Sequence, residues 1–311
     1  MMRTGLLWLS EQQQVFRFVR SNGLARKFAS RFVAGETVET AIAAARDLNR
    51  HEITATLDLL GESVHQESDA VQARDTYLRM LDQIALSGVQ SNVSVKLTQM
   101  GFDIAEGACL ANMSAILQKA KALQSFVRLD MESSAYTQRT LDFFYDHLYP
   151  AYGPHVGVVI QSSLRRSEAD IERLVETKAR VRLCKGAYLE PAEVAFPDKA
   201  DVDKAYVRLM ERLMEQGNYP GLATHDQSII SHARQFARTR DIDPARFEFQ
   251  MLYGVRRDLQ DSLRRAGYNV RVYVPFGTQW YPYLMRRLAE RPANIAFFLG
   301  NVVREAVHRP T

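Results

Sequence analysis

From about residue 50 onward the hydrophobic positions repeat one theme. Short apolar runs rich in β-branched residues recur at Ile53–Leu60, Val93–Leu97, Phe126–Met131, Val156–Ile160, Val181–Cys184, Gly221–Thr224, Phe247–Leu252 and Val270–Val274. Between them lie stretches with apolar residues at helical spacing, such as Ala70–Leu86, Cys109–Leu123, Ser167–Lys178, Lys204–Gln216 and Ser228–Arg240. Strand–helix alternation of this kind implies right-handed βαβ units and a parallel sheet, and eight units favour closure into a (βα)8 barrel over an open sheet. Glu36 to Asn49, after Gly35, reads as a helix ahead of the series. Earlier still, Phe16 and Val19 with Arg17, Arg20, Arg26, Lys27 and Arg31 suit an amphipathic helix rather than a secretory h-region. That helix suits a transit peptide or a membrane surface, or simply leans, solvated, on the domain. No Pro/Gly/Ser-rich linker interrupts the pattern. The expected organisation is an N-terminal helical segment over 1–50 and one barrel domain over 51–311, closed by C-terminal helices.

Composition narrows the class. The chain has 311 residues, 46% hydrophobic and 24% charged, which is ordinary for a globular protein. Cys109 and Cys184 are its two cysteines, too few for a disulfide scaffold, a multi-cysteine zinc site or an iron–sulfur cluster. Cys184 lies inside a strand run and reads as core. No apolar run approaches the ~18 residues of a membrane span. The formal net charge is +4. It is unevenly spread, because residues 255–311 hold ten Arg against four acids. With no run of five like charges, nucleic acid is not the expected partner.

In such a barrel, chemistry sits at the carboxyl ends of the strands. Those positions carry Asp58, Gly61 and Glu62; Lys96 and Thr98; Asp130 and Glu132; Gln161; Arg182 and Lys185; His225 and Asp226; Gln250; and Tyr273. One such residue is most simply a helix cap or a surface charge, but a bare scaffold has no use for polar groups at nearly every strand end. Beyond the last run, Tyr283, Arg286, Arg287 and Glu290 share one helical stripe. Two adjacent guanidiniums suit an oxyanion such as a carboxylate or phosphate, and a solvated face with Glu290 paired to an Arg is an equal alternative. There is no GxGxxG after a strand, no P-loop, no HExxH and no GxSxG. The seven His lack metal-ligand spacing, so no metal site is expected. A Schiff-base aldolase using Lys96 or Lys185 remains a competing reading. So does a non-catalytic RNA- or membrane-binding protein using the basic ends.

Eight linked motifs then stand out in order: Asp58-Leu-Leu-Gly-Glu62, Val93-Ser-Val-Lys-Leu97, Arg128-Leu-Asp-Met-Glu132, Val159-Ile-Gln161, Val181-Arg-Leu-Cys-Lys-Gly-Ala-Tyr188, Ala223-Thr-His225, Phe247-Glu-Phe-Gln250 and Tyr283-Leu-Met-Arg-Arg287. With them the chain resembles, over roughly residues 30–300, the monofunctional bacterial proline dehydrogenases and the proline dehydrogenase domain of bifunctional proline-utilisation proteins. The resemblance implies a noncovalently bound FAD across the carboxyl end of a distorted barrel, oxidation of L-proline to Δ1-pyrroline-5-carboxylate, and electron transfer to a membrane quinone. It implies that Arg286, Arg287 and Lys96 bind the proline carboxylate and that Leu252, Tyr273 and Tyr283 wall the ring. Asp130 and Arg182 match catalytic positions. Met131, Gln161, Lys185, Gly186, Ala187, Thr224 and His225 match FAD contacts. Glu62 matches a gate residue paired with the first Arg. A cytoplasmic location follows, with contact at the inner face of the cytoplasmic membrane left open. A separate pyrroline-5-carboxylate dehydrogenase would take the product, since no second catalytic domain follows. Two departures are Asp226, where the bifunctional proteins typically have Asn, and the differing loop from Leu189 to Lys199. Lys199 is a further candidate contact to the FAD pyrophosphate or adenylate.

Overall fold

The structure, a computed structural model, describes residues 29–290, with side chains up to Met285. Eight strands form one closed, all-parallel barrel in sequence order. They are β1 (Thr54–Leu59), β2 (Ser91–Val95), β3 (Val127–Leu129), β4 (Val156–Gln161), β5 (Arg180–Cys184), β6 (Gly221–Ala223), β7 (Glu248–Leu252) and β8 (Asn269–Phe276). Each coincides with one of the eight apolar runs. β8 closes on β1 with Thr56 opposite Tyr273 and Asp58 opposite Pro275.

Side-chain alternation explains the closure. In β1, Ala55 and Leu57 are fully buried against the surrounding helices, while Thr56 and Asp58 are buried on the other face. β2 repeats this with Val93 and Val95 outward and Asn92 and Ser94 inward, where Thr56 Oγ1 donates to Asn92 Oδ1 across 2.5 Å. The lumen is therefore unusually polar for a fold whose interior is commonly filled by branched apolar residues.

The helix Val38–Arg50 starts where expected. Thr37 and Thr40 form a reciprocal capping box, and Gly35 in left-handed backbone (φ +82°) leaves room for the Thr40 side chain. Val38, Ala41, Ile42 and Ala45 make its buried stripe, continuous with the barrel core. The other forecast helices span Glu67–Ser87, Glu106–Ala122, Ser167–Glu176, Lys199–Gln216 and Gln227–Thr239. The β3–β4 connection also contains Ser134–Phe143, a π-turn at Phe144–Leu148 and a short helix at Tyr149–Tyr152, which the periodicity alone did not separate. Cys184 differs from its reading as buried core: it ends β5 half-buried, packed against the core. The backbone of the last described helix, Trp280–Glu290, follows the carboxyl end of β8. Residues 1–28, with the basic amphipathic stretch, lie outside the described residues.

Candidate active site

Asp130 is the junction of the lumen. Its Oδ1 accepts from Ser94 Oγ (2.7 Å) and from Arg182 Nη1 (2.7 Å), and its Oδ2 accepts from Tyr273 OH (2.8 Å). β2, β3, β5 and β8 supply these four residues. Since β3 neighbours neither β5 nor β8, the Arg182 and Tyr273 bonds cross the barrel, while Ser94 reaches Asp130 from the adjacent strand. Arg182 Nε donates to Gln250 Oε1 across 2.5 Å, and the guanidinium lies 5.3 Å from the centre of the Tyr273 ring. Arg182 is only 6% exposed. Burial, followed by the Asp130 charge, raises the Tyr273 phenol well above its ordinary range, so it remains a donor.

Lys96 stands beside this group. Its Nζ lies 3.0 Å from Asp58 Oδ1, while Asp58 Oδ2 is buried without a hydrogen-bond partner. Burial works against the Lys96 ammonium, but Asp58 and then Asp130 outweigh it and keep the lysine charged. Tyr77, from the helix Glu67–Ser87, donates to the Ser94 carbonyl (2.8 Å), with Gln99 Oε1 3.3 Å from the same hydroxyl. Nothing in the sequence singled out Tyr77, which resembles any other member of an apolar helical stripe.

The loop after β1 carries Glu62, half-buried. Segment Thr98–Gln99 straps it down. Ser63 N–H donates to Thr98 Oγ1 (3.0 Å), and Gln99 Nε2 donates to the Leu59 carbonyl (3.1 Å). Thr98 Oγ1 in turn donates to Glu132 Oε1 (2.7 Å). Burial raises the Glu132 carboxyl to about 7, against the opposing Thr98 bond. A carboxyl with a raised folded-state pKa binds its proton more tightly folded than unfolded. Stability is then lost as pH climbs from about 4.5 to about 7 and stays lost above. Glu132→Gln is expected to flatten that fall and to be more stable than the parent at pH 8, by up to about 3 kcal/mol. Denaturant titrations at pH 5 and pH 8 check this, and equal slopes for both proteins would contradict it.

Across the barrel mouth, β4 and β5 build a second feature. Gln161 Nε2 donates to the carbonyls of Glu132 (2.7 Å) and Met131 (3.3 Å), which leaves Oε1 buried with no partner. Gly186, in left-handed backbone (φ +106°), faces it. A Cβ there would collide with Ser163 Oγ and stand 3.1 Å from Gln161 Oε1. Lys185 is held 2.5 Å from Asp203 and 2.9 Å from Asp226, and Lys199 lies 3.6 Å from Asp226. The Lys185 bond chiefly lowers the Asp226 pKa. Asp226 also caps the helix Gln227–Thr239 through the Ser228 N–H (3.1 Å), a use that explains an acid at this position. Asp203, missed in the sequence, is visible only once the helix Lys199–Gln216 is folded back over β5. Thr224 is buried, and His225 Nε2 accepts from the Leu252 N–H (3.0 Å), which puts the neutral ring's proton on Nδ1. Ala187 is exposed beside Gly186. Glu190 ties this loop to β3's side by accepting from Ser134 N–H (2.8 Å) and Oγ (2.5 Å).

Leu252 and Tyr273 are register neighbours on β7 and β8. Tyr283 is buried on the terminal helix. Arg286 and Arg287 lie on that helix's backbone, but the carboxylate clamp assigned to them involves side chains outside the described residues. A cavity of about 800 Å³ opens above the ends of β1 and β8 and meets the site at Lys96 and Glu62. Among the described residues no group of three or more His, Cys, Asp and Glu could hold a metal ion. None of their helices is long and apolar enough to cross a membrane. The site thus offers a buried and a partly buried cation, Arg182 and Lys96, with matched carboxylates on one side. On the other, an unused acceptor and a glycine cradle fit the N–H edge of a flat polar ring.

Comparison with known proteins agrees in extent as well as fold. A sequence profile of the family described as proline dehydrogenase matches residues 41–298. Proline dehydrogenase 1 of Bacillus subtilis is 40% identical over 305 residues, covering 98% of this chain and 100% of that one. The proline dehydrogenase of Deinococcus radiodurans is 41% identical, covering 97% and 98%. Among solved structures, proline utilization A from Bdellovibrio bacteriovorus, inactivated by N-propargylglycine, superposes with a TM-score of 0.79 at 26% identity. The match covers 85% of this chain and 32% of that larger one.

Proposed function

The chain belongs to the proline dehydrogenase family, and from that premise we propose that it oxidises L-proline to Δ1-pyrroline-5-carboxylate with a noncovalently bound FAD and passes the electrons to a membrane quinone. The observation that carries the cofactor reading is the orphaned Gln161 Oε1 facing Gly186: a buried acceptor awaiting a donor beside a cleft that any Cβ would fill. Gln161, Gly186, Ala187 and Met131 would hold the ring end, Thr224 and His225 the middle, and Lys185 with Lys199 the phosphates. When bound, FAD supplies the hydride acceptor.

The chain's own residues bind, orient and shield the substrate. Arg286 and Arg287 would take the proline carboxylate as a bidentate pair, with Lys96 adding positive charge. Leu252, Tyr273 and Tyr283 would wall the ring. Asp130 holds Tyr273 and Arg182 in place, and Arg182 would keep positive charge next to the cofactor ring. Glu62, strapped by Thr98 and Gln99, would pair with Arg286 and exclude water. The product would leave for a separate pyrroline-5-carboxylate dehydrogenase, in the first step of proline degradation to glutamate. The protein would work in the cytoplasm, peripheral to the inner face of the cytoplasmic membrane.

The rival use of Lys96 or Lys185 as a Schiff-base nucleophile is disfavoured by their ion pairs, which keep both lysines tied to carboxylates. With L-proline and an artificial electron acceptor, the product is expected to be lighter than proline by two hydrogens. Borohydride is expected to leave no adduct on either lysine. A borohydride-trapped adduct without that product would reverse the assignment.

A further inference from the structure

The lumen hydrogen bonds continue below Arg182, and none of the roles assigned above uses them. Gln250, 5% exposed on β7, accepts from Arg182 Nε through Oε1 and donates from Nε2 to Glu248 Oε1 (2.6 Å). Glu248, 3% exposed, also accepts from Arg271 Nε (2.7 Å) and from Tyr219 OH (3.2 Å). Burial alone would raise the Glu248 pKa, but the Arg271 charge and these bonds lower it, so an ionised carboxylate stands at the bottom of the chain. Gly221 on β6 makes the room: a Cβ there would collide with the Gln250 amide.

An amide side chain has two different ends, and a carboxylate can only accept. Glu248 therefore takes the NH2 end of Gln250 and turns the oxygen toward Arg182. Arg182 is then gripped at Nε by Gln250 and at Nη1 by Asp130 and Ser94 (3.1 Å). Its Nη2 makes no hydrogen bond among the described residues. With two of its three nitrogens held, the guanidinium cannot swivel.

We propose that Gln250 is a positioning residue that aims Arg182, and that Glu248 sets the orientation of Gln250. The proposal rests on the flavin reading above, because the aimed charge matters only beside a cofactor whose reduced form is anionic. Loosening the guanidinium weakens its stabilisation of that reduced form, so the bound cofactor becomes harder to reduce.

The test uses holoenzyme of the parent, Gln250→Leu and Glu248→Gln, with the flavin midpoint potential measured by equilibration with a reference dye. Both variants are expected to shift to more negative potential by about 30 mV, a tenfold change in the equilibrium of a two-electron couple. kcat for proline should fall while KM stays near the parent value, since neither residue is placed at the substrate. Arg182→Lys should shift the potential in the same direction, and adding Gln250→Leu to it should shift it little further. A flavin-loaded Gln250→Leu enzyme at the parent potential overturns the proposal. A shift in Gln250→Leu with none in the conservative Glu248→Gln overturns the part assigned to Glu248. Parent protein that binds no flavin overturns the cofactor reading instead.

Discussion

Replacing Asp130 with Ala is expected to lower kcat/KM for L-proline by at least about 100-fold, the scale on which small misplacements of reacting groups act. One carboxylate receives Ser94, Arg182 and Tyr273, from three other strands. Its loss unties all three at once. The buried Arg182 guanidinium loses its ion-pair partner, and Tyr273 loses the acceptor that orients its ring. Leaving a buried charge uncompensated costs about 3 kcal/mol of stability as well. Asp130→Asn keeps one acceptor oxygen and is expected to fall between the parent and the alanine variant. Steady-state kinetics with proline, paired with denaturant titrations, separate the two losses. Parent-like turnover by Asp130→Ala would remove this residue from the centre of the site.

Lys96→Met is the second large expected effect. Methionine fills most of the lysine's volume but strips Asp58 of its ammonium, and Asp58 is only 1% exposed. The expected destabilisation at pH 7 is about 3 kcal/mol. It should be larger at high pH than at low pH, because burial pushes the Asp58 carboxyl up and protonation relieves the unpaired charge. The double variant Asp58→Asn/Lys96→Met should recover most of the loss while remaining inactive toward proline. Chemical denaturation of the three variants at two pH values measures this. A Lys96→Met protein as stable as the parent would show that the pair contributes nothing to the fold.

Much of this architecture is legible in the chain because it is periodic. Alternation in β1 and β2 places Ala55, Leu57, Val93 and Val95 on one face and Thr56, Asp58, Asn92 and Ser94 on the other, and both faces behave as the pattern requires. The strand-end polar residues follow from the same logic, so Asp130, Arg182, Lys96 and Tyr273 are identifiable before any fold exists. Which of them touch is a different kind of fact. The Tyr273–Asp130 bond joins residues 143 positions apart. Ser94 reads as an ordinary small residue of a strand until β2 is curled toward β5. Tyr77 and Asp203 belong to helices whose local pattern says only that one face is buried and the other wet. They join the site because the tertiary fold brings those faces over β2 and β5. Asp226 looked like a departure from a familiar motif and proves to hold both Lys185 and a helix N-terminus, two demands that Asn meets only in part.

The proposed flavin would lie between Gln161 and Gly186 and be reduced by proline. The direct measurement is the absorbance spectrum of the purified protein, anaerobic, before and after addition of L-proline. The expected result is a yellow protein with a band near ~450 nm, a property of the oxidised cofactor, that bleaches on adding proline. A colourless protein after reconstitution with FAD, or a yellow one that proline leaves unbleached, would contradict it.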